Sequence, residues 1–93
     1  MDVTAPGRAL HGKFLLLGNM NGKTADEIVA VVGRPISTSS MAEGMTLMKW
    51  IAKGFSVLIL FRANGQFLTI MNQHAYYVGG LAIAAAKALI ILD

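Results

Sequence analysis

The group of residues closest to a chemical motif is Gly18 followed by Gly22-Lys23-Thr24. A glycine-rich loop ending in lysine and threonine can surround phosphates with backbone amides, while the lysine and hydroxyl contact the outer phosphate and its metal. That motif needs a longer spacing between its glycines than the three residues, 19–21, found here. The chain that follows also predicts hairpins, whereas nucleotide hydrolases require βαβ crossovers. We therefore interpret Gly22-Lys23-Thr24 as a turn and a helix cap.

Other side chains suited to catalysis or metal binding are few and scattered. The two histidines, His11 and His74, lie far apart, and neither has a histidine or an acid at helical ligand spacing. The chain has no cysteine, which excludes disulfides, thiolate catalysis and cysteine-based metal sites. Among its five acidic residues, no carboxylate pair and no partner for a nucleophile stands out. We predict a protein that is not an enzyme, without a catalytic residue, metal site or cofactor.

The side chains best suited to contacting another protein are aromatic residues and a C-terminal apolar run. Aromatic residues dominate interface hot spots, although a single tryptophan in a sheet is more often in the core. A helix over 76–92 would be apolar on every face, which is typical of burial, of an interface or of lipid contact. Its small residues would allow another helix to approach closely. The candidate interface residues are Trp50, Tyr76, Tyr77, Gly80, Leu81, Ala84, Ala88, Leu89 and Leu92.

The composition predicts that these apolar residues are too many for one small core. A chain of 93 residues forms a single domain, 1–93. Its residues are 55% hydrophobic and 14% charged, against an ordinary charged fraction of about 25%. We therefore expect a second copy to cover the excess, most simply in a dimer. The basic residues behind the net charge of +3 are scattered singly, so nucleic-acid binding is not expected.

Two helices are predicted in the first third of the chain. Leu10, Phe14 and Leu17 have helical spacing and predict a short helix over 8–17. Thr24 and Glu27 have the spacing of a capping box and predict the start of a second helix. Gly33 and Pro35 predict its end, which places this helix over 24–32.

The middle of the chain predicts a three-stranded antiparallel meander. The serine- and threonine-rich stretch 37–40 is expected to be a polar loop. Strands are expected over 45–52, 55–62 and 66–72, where apolar residues alternate or form short runs. Asn64-Gly65 predicts a type I′ hairpin between the last two. The predicted fold is α+β, with a helix on this meander as the core at 22–72 and an apolar C-terminal helix over 76–92.

The order of these features resembles the small outer-membrane assembly lipoproteins of the SmpA/OmlA (BamE-like) type. The resemblance covers residues 22–71: Gly22-Lys23-Thr24 before a helix, Val32-Gly33-Arg34-Pro35 after it, Trp50 in the first strand, Phe61 at the end of the second, and Asn64-Gly65 in the turn. It implies a helix layer on a three-stranded antiparallel sheet and a function in binding proteins without catalysis. Neither a signal peptide nor a lipid-bearing cysteine accompanies these motifs, and the apolar run 76–92 lies outside the pattern.

The leading functional hypothesis is a cytoplasmic interaction or assembly module that forms a homo-oligomer, with a further protein partner as an open option. Residues 1–7 lack the basic and apolar regions of a signal peptide, which favours the cytoplasm. One alternative is a membrane-associated module held by 76–92. This run is shorter than the about 20 residues of a bilayer span and contains Lys87. The other alternative is a small-ligand binder or enzyme with a pocket beneath the sheet.

Overall fold

The computed structural model describes residues 4–75 of the chain. This part contains a single antiparallel sheet whose strands pair in chain order: β1 (Ser37–Ser40), β2 (Thr46–Ala52), β3 (Phe55–Phe61) and β4 (Phe67–Ala75). A short 3-10 turn, Ala42–Gly44, lies between β1 and β2. The predicted α+β class and the antiparallel sheet are confirmed. Before β1 lie the helices α1 (Ala5–Leu17) and α2 (Ala25–Val32).

Helix α2 begins at the predicted capping box. The Thr24 hydroxyl accepts a hydrogen bond from the Glu27 backbone N–H at 3.2 Å, and the Glu27 carboxylate accepts one from the Thr24 N–H at 2.8 Å. Gly33 ends the helix with φ at 95°, a conformation that residues with a side chain rarely adopt. Local chemistry at both ends therefore defines an eight-residue helix whose valines and isoleucine are weak helix formers.

Removing this cap gives a first test of the fold. Thr24→Ala is expected to lower the free energy of unfolding by about 0.5–2 kcal/mol, because the Glu27 N–H loses its acceptor. Thr24→Ser retains the acceptor oxygen and serves as the matched control. Urea denaturation followed by circular dichroism measures both variants. Equal losses for alanine and serine would show that the hydroxyl does not stabilise the helix.

The core lies between the helices and one face of the sheet. Strand β3 buries every second residue, from Phe55 to Phe61, on this face. Phe14 of α1 packs edge-on against the Trp50 ring, with ring centroids 5.5 Å apart. Its ring centroid lies 6.0 Å from that of Phe55. From α2, Ile28 adds to the same cluster. The buried residues of β3 thus face the helices, and the residues between them face the other side of the sheet.

The prediction that 37–40 is a polar loop was wrong, and the meander has four strands in the described part of the chain. Strand β1 pairs with β2, with Ser37 opposite Lys49 and Ser40 opposite Thr46. Each of its side chains is exposed. Since an edge strand without a buried side chain carries no apolar alternation, its sequence pattern could not be distinguished from a loop.

The turn between β3 and β4 lies where Asn64-Gly65 predicted it, but it is not of type I′. Type I′ needs positive φ at both central residues, whereas Gly65 has φ 89° and Asn64 is outside the positive-φ region. The Gly65 N–H donates to the Arg62 carbonyl, and the Arg62 N–H donates to the Gln66 carbonyl, both at 2.8 Å. This pattern is typical of a type I turn followed by a glycine bulge.

Other boundaries shift modestly from the predictions. Helix α1 starts at Ala5 rather than residue 8, and β4 continues to Ala75 rather than ending at 72. The predicted C-terminal helix over 76–92 lies outside the described residues.

Candidate interaction surface

The sheet has two faces, and both described helices pack on the same one. We call the opposite side the outer face and define it by Leu47, Lys49 and Ile51 of β2 with Ser56, Leu58 and Leu60 of β3. These residues alternate with the buried ones along each strand. The cross-strand pairs Leu47–Leu60, Lys49–Leu58 and Ile51–Ser56 place them side by side.

The outer face is mainly apolar, with Lys49 exposed in its middle row, and it has a polar rim. Leu47, Leu58 and Leu60 are half-buried, while Ile51 keeps 45% of its surface exposed. On the edge strands, the side chains in the same rows are polar: Ser37 and Ser39 on β1, and Thr69, Asn72 and His74 on β4. Interfaces between proteins commonly have an apolar centre surrounded by polar groups. No helix of the described part covers this face.

A shallow cavity of about 150 Å³ opens on this side of the sheet. Its lining includes Lys49, Ser56, Leu58 and Asn72. Pockets for small ligands usually measure about 300–1,000 Å³, so this depression is too small to enclose one. Its place within the outer face makes it part of a surface for a larger contact.

The candidate interface residues of the sequence fall into two groups. Trp50 lies in the core, 2% exposed, and its indole N–H donates to the Gly33 carbonyl at 2.9 Å. It therefore joins β2 to the end of α2 and does not contribute to the outer face. The remaining candidates, Tyr76, Tyr77, Gly80, Leu81, Ala84, Ala88, Leu89 and Leu92, lie outside the described residues.

The outer face itself was not predicted, although β3 carries a signal for it. Strands with one solvated face alternate apolar and polar residues, but β3 has Leu58 and Leu60 in the positions expected to be polar. Apolar residues on both faces are typical of a strand that is buried on both sides of its sheet.

Gly22-Lys23-Thr24, which resembles the end of a phosphate-binding loop, has a structural role in this fold. Its Thr24 caps α2, and the amide of Ala25 donates to the Gly65 carbonyl at 2.8 Å. The Lys23 carbonyl accepts from the Phe67 N–H, also at 2.8 Å. These groups attach the start of α2 to the β3–β4 hairpin. Two amides of the first helical turn are thus already bonded to the protein.

His11 is the one buried polar residue of the described core, with 0% exposure. Its ring stacks on that of Phe55, with centroids 4.6 Å apart and planes 9° from parallel. Burial lowers the pKa of this imidazole below its ordinary value of 6.5, because the charged form loses water. His74, by contrast, is exposed on β4.

The buried imidazole predicts that acid destabilises the fold. In the unfolded chain His11 binds a proton near its ordinary pKa of 6.5, whereas in the folded chain it binds only at lower pH. The free energy of unfolding should therefore fall as the pH drops from about 6.5 through the lowered pKa. Denaturant titrations across this pH range measure the slope of the free energy of unfolding against pH. His11→Phe should remove this contribution and His74→Gln should keep it, so an unchanged slope in His11→Phe would contradict the prediction.

Two further properties concern the described residues alone. Between residues 4 and 75, no three histidine or acidic side chains group as metal ligands. No helix in that range combines the length and the apolarity needed to cross a bilayer.

Comparison with known proteins found no matching family model, no matching curated protein and no matching solved structure. The resemblance to the SmpA/OmlA type therefore stays a prediction. Functional inference for this chain rests on its own geometry.

Proposed function

We propose that this protein is a non-catalytic interaction module that assembles into a homo-oligomer, most simply a dimer. The observation that carries the proposal is the outer face, where Leu47, Ile51, Leu58 and Leu60 form an apolar surface around Lys49 that α1 and α2 leave uncovered. Uncovered apolar patches on small proteins mark interaction sites.

The apolar run 76–92 adds to the surface that needs a cover. It follows β4 directly and holds a single charged residue, Lys87. We propose that this run forms the contact between copies, with Gly80, Ala84 and Ala88 allowing close approach and Leu81, Leu89 and Leu92 supplying apolar area. The Lys87 ammonium then reaches solvent at the edge of the contact.

Sedimentation velocity on the full chain at micromolar concentration tests the proposal. The unmodified protein should sediment as a dimer. Leu89→Asp should shift it to monomer, because burying an unpaired carboxylate in the contact costs several kcal/mol. Leu16→Asp is the matched control, since Leu16 is 82% exposed on α1 and faces away from the sheet.

The control should remain a dimer with unchanged circular dichroism. If the unmodified protein sediments as a clean monomer, the proposed self-association is wrong. If Leu16→Asp dissociates the dimer and Leu89→Asp does not, the contact lies on the helical side instead.

A further inference from the structure

The outer face has a candidate occupant within the same chain. We infer that residues 81–92 fold back onto the outer face of their own protomer and form its cover, a third layer opposite α1 and α2. This inference rests on the proposed function and deepens it, because the side of the segment turned away from the sheet is then the surface offered to the second copy.

The position where β4 ends makes this placement possible. Ala75 lies opposite Phe55 in the sheet, at the corner of the molecule where the β2–β3 hairpin also turns. The chain therefore leaves the sheet at an edge, from which the outer face is within reach. Only four residues further on, Gly79-Gly80 supplies a dipeptide typical of chain reversals.

The length of the remaining chain matches the face. A seven-residue strand such as β3 is about 23 Å long. Residues 81–92 measure about 18 Å as a helix and about 40 Å when extended. As a helix they can run along β2 and β3 within the length of these strands and cover Leu47, Leu58 and Leu60, whereas the extended segment exceeds the strands.

The chemistry of the segment also suits this surface. Residues 81–92 are apolar except for Lys87, and four of the six outer-face residues are leucine or isoleucine, with Lys49 and Ser56 between them. The polar rim of β1 and β4 can hydrogen-bond to water beside the segment. Lys87 must avoid the Lys49 ammonium, which lies on the same face, and this favours a path that carries Lys87 to the rim.

A tethered segment competes well against a second copy for the same surface. Short linkers produce effective concentrations of about millimolar, far above the micromolar concentration of another chain. The segment of the same protomer therefore occupies the face first. The second copy then meets the outward side of the segment.

Cysteine cross-linking of the full chain tests this placement, and the native sequence has no cysteine to interfere. Leu58→Cys on the outer face is combined, one at a time, with Leu81→Cys, Ala84→Cys or Leu89→Cys. A short bismaleimide is added to an equal mixture of light and isotope-labelled protein, so that mass spectrometry separates cross-links within a chain from those between chains. Circular dichroism checks that each variant is folded, and Leu60→Cys replaces Leu58→Cys if that variant is not.

The matched control moves the first cysteine to Ala9→Cys with the same segment positions. Ala9 is exposed on α1, near Gly7, whose N–H bonds to the Lys53 carbonyl in the β2–β3 turn. It is therefore close to the point where β4 ends but on the opposite side of the sheet. Cross-links within the chain should be at least about tenfold more abundant for Leu58 than for Ala9 at one or more segment positions.

Equal yields at Leu58 and Ala9, or no cross-link at Leu58, would overturn the inference. Cross-links from Leu58 mainly between chains would also overturn it, by assigning the face to the second copy while leaving self-association intact. Sedimentation of the cross-linked protein separates the two proposals. A monomer with the link formed within the chain would refute self-association and keep the placement of the segment.

Discussion

Phe14→Ala should lower the free energy of unfolding by about 3–5 kcal/mol. The Phe14 ring is fully buried and touches both Trp50 and Phe55. Truncation removes apolar contact on both sides and leaves a cavity that rigid aromatic neighbours fill poorly. Domains of this size are stable by only about 5–15 kcal/mol, so the variant should lose a large share of the total stability.

Leu16→Ala provides the comparison on the same helix. Leu16 is 82% exposed, so its loss should change the free energy of unfolding by no more than about 0.5 kcal/mol. Chemical denaturation of both variants measures the difference. If Phe14→Ala costs as little as Leu16→Ala, α1 is not packed on the sheet as described.

Gly7→Ala should destabilise the protein by about 3 kcal/mol, through a clash instead of a cavity. The Gly7 N–H donates to the Lys53 carbonyl at 2.8 Å, which brings the first turn of α1 against the β2–β3 turn. A Cβ at this position would overlap the Lys53 carbonyl oxygen and lie 2.7 Å from the backbone atoms Gly54 C and Phe55 N. Backbone atoms cannot rotate away, so the helix itself must move.

Gly12→Ala is a control with the opposite expected sign. Gly12 is also within α1, but a Cβ there would have no neighbour within 4 Å. Alanine favours the helix over glycine by about 0.5–1 kcal/mol, so this variant should be more stable than the unmodified protein. Thermal denaturation with circular dichroism compares the two. A similar gain in stability for Gly7→Ala would disprove the close contact between α1 and the hairpin.

The parts of the fold that the sequence predicts well are those determined by neighbouring residues. Thr24 and Glu27 specify the start of α2 through hydrogen bonds three residues apart. Gly33 specifies its end through a backbone conformation. Strand β3 was predicted because Phe55, Val57, Ile59 and Phe61 alternate with the residues between them.

Two of the features that were missed depend on residues distant in the chain. Strand β1 exists because β2 offers it a free edge, which the exposed side chains of Ser37–Ser40 do not reveal. The burial of His11 depends on Phe55, which is distant in the chain. The early start of α1, in contrast, has a local signal, because Pro6 lies in the first turn of the helix.

The candidate surface was predicted only in part for a related reason. Surplus apolar composition indicated that a cover was needed, but the side of the sheet that stays open is decided by where α1 and α2 pack. The aromatic character of Trp50 pointed to an interface, whereas its ring fills the core. Apolar residues on both faces of β3 were the stronger signal.

The strand order of the sheet has a consequence for how the protein emerges from the ribosome. Each strand pairs with the next one in the chain, so the sheet closes through short loops at a small cost in entropy. Helix α1 is different, because its partners Trp50 and Phe55 are synthesised long after it. The apolar surface of Phe14 thus stays without its native cover until half of the chain has followed.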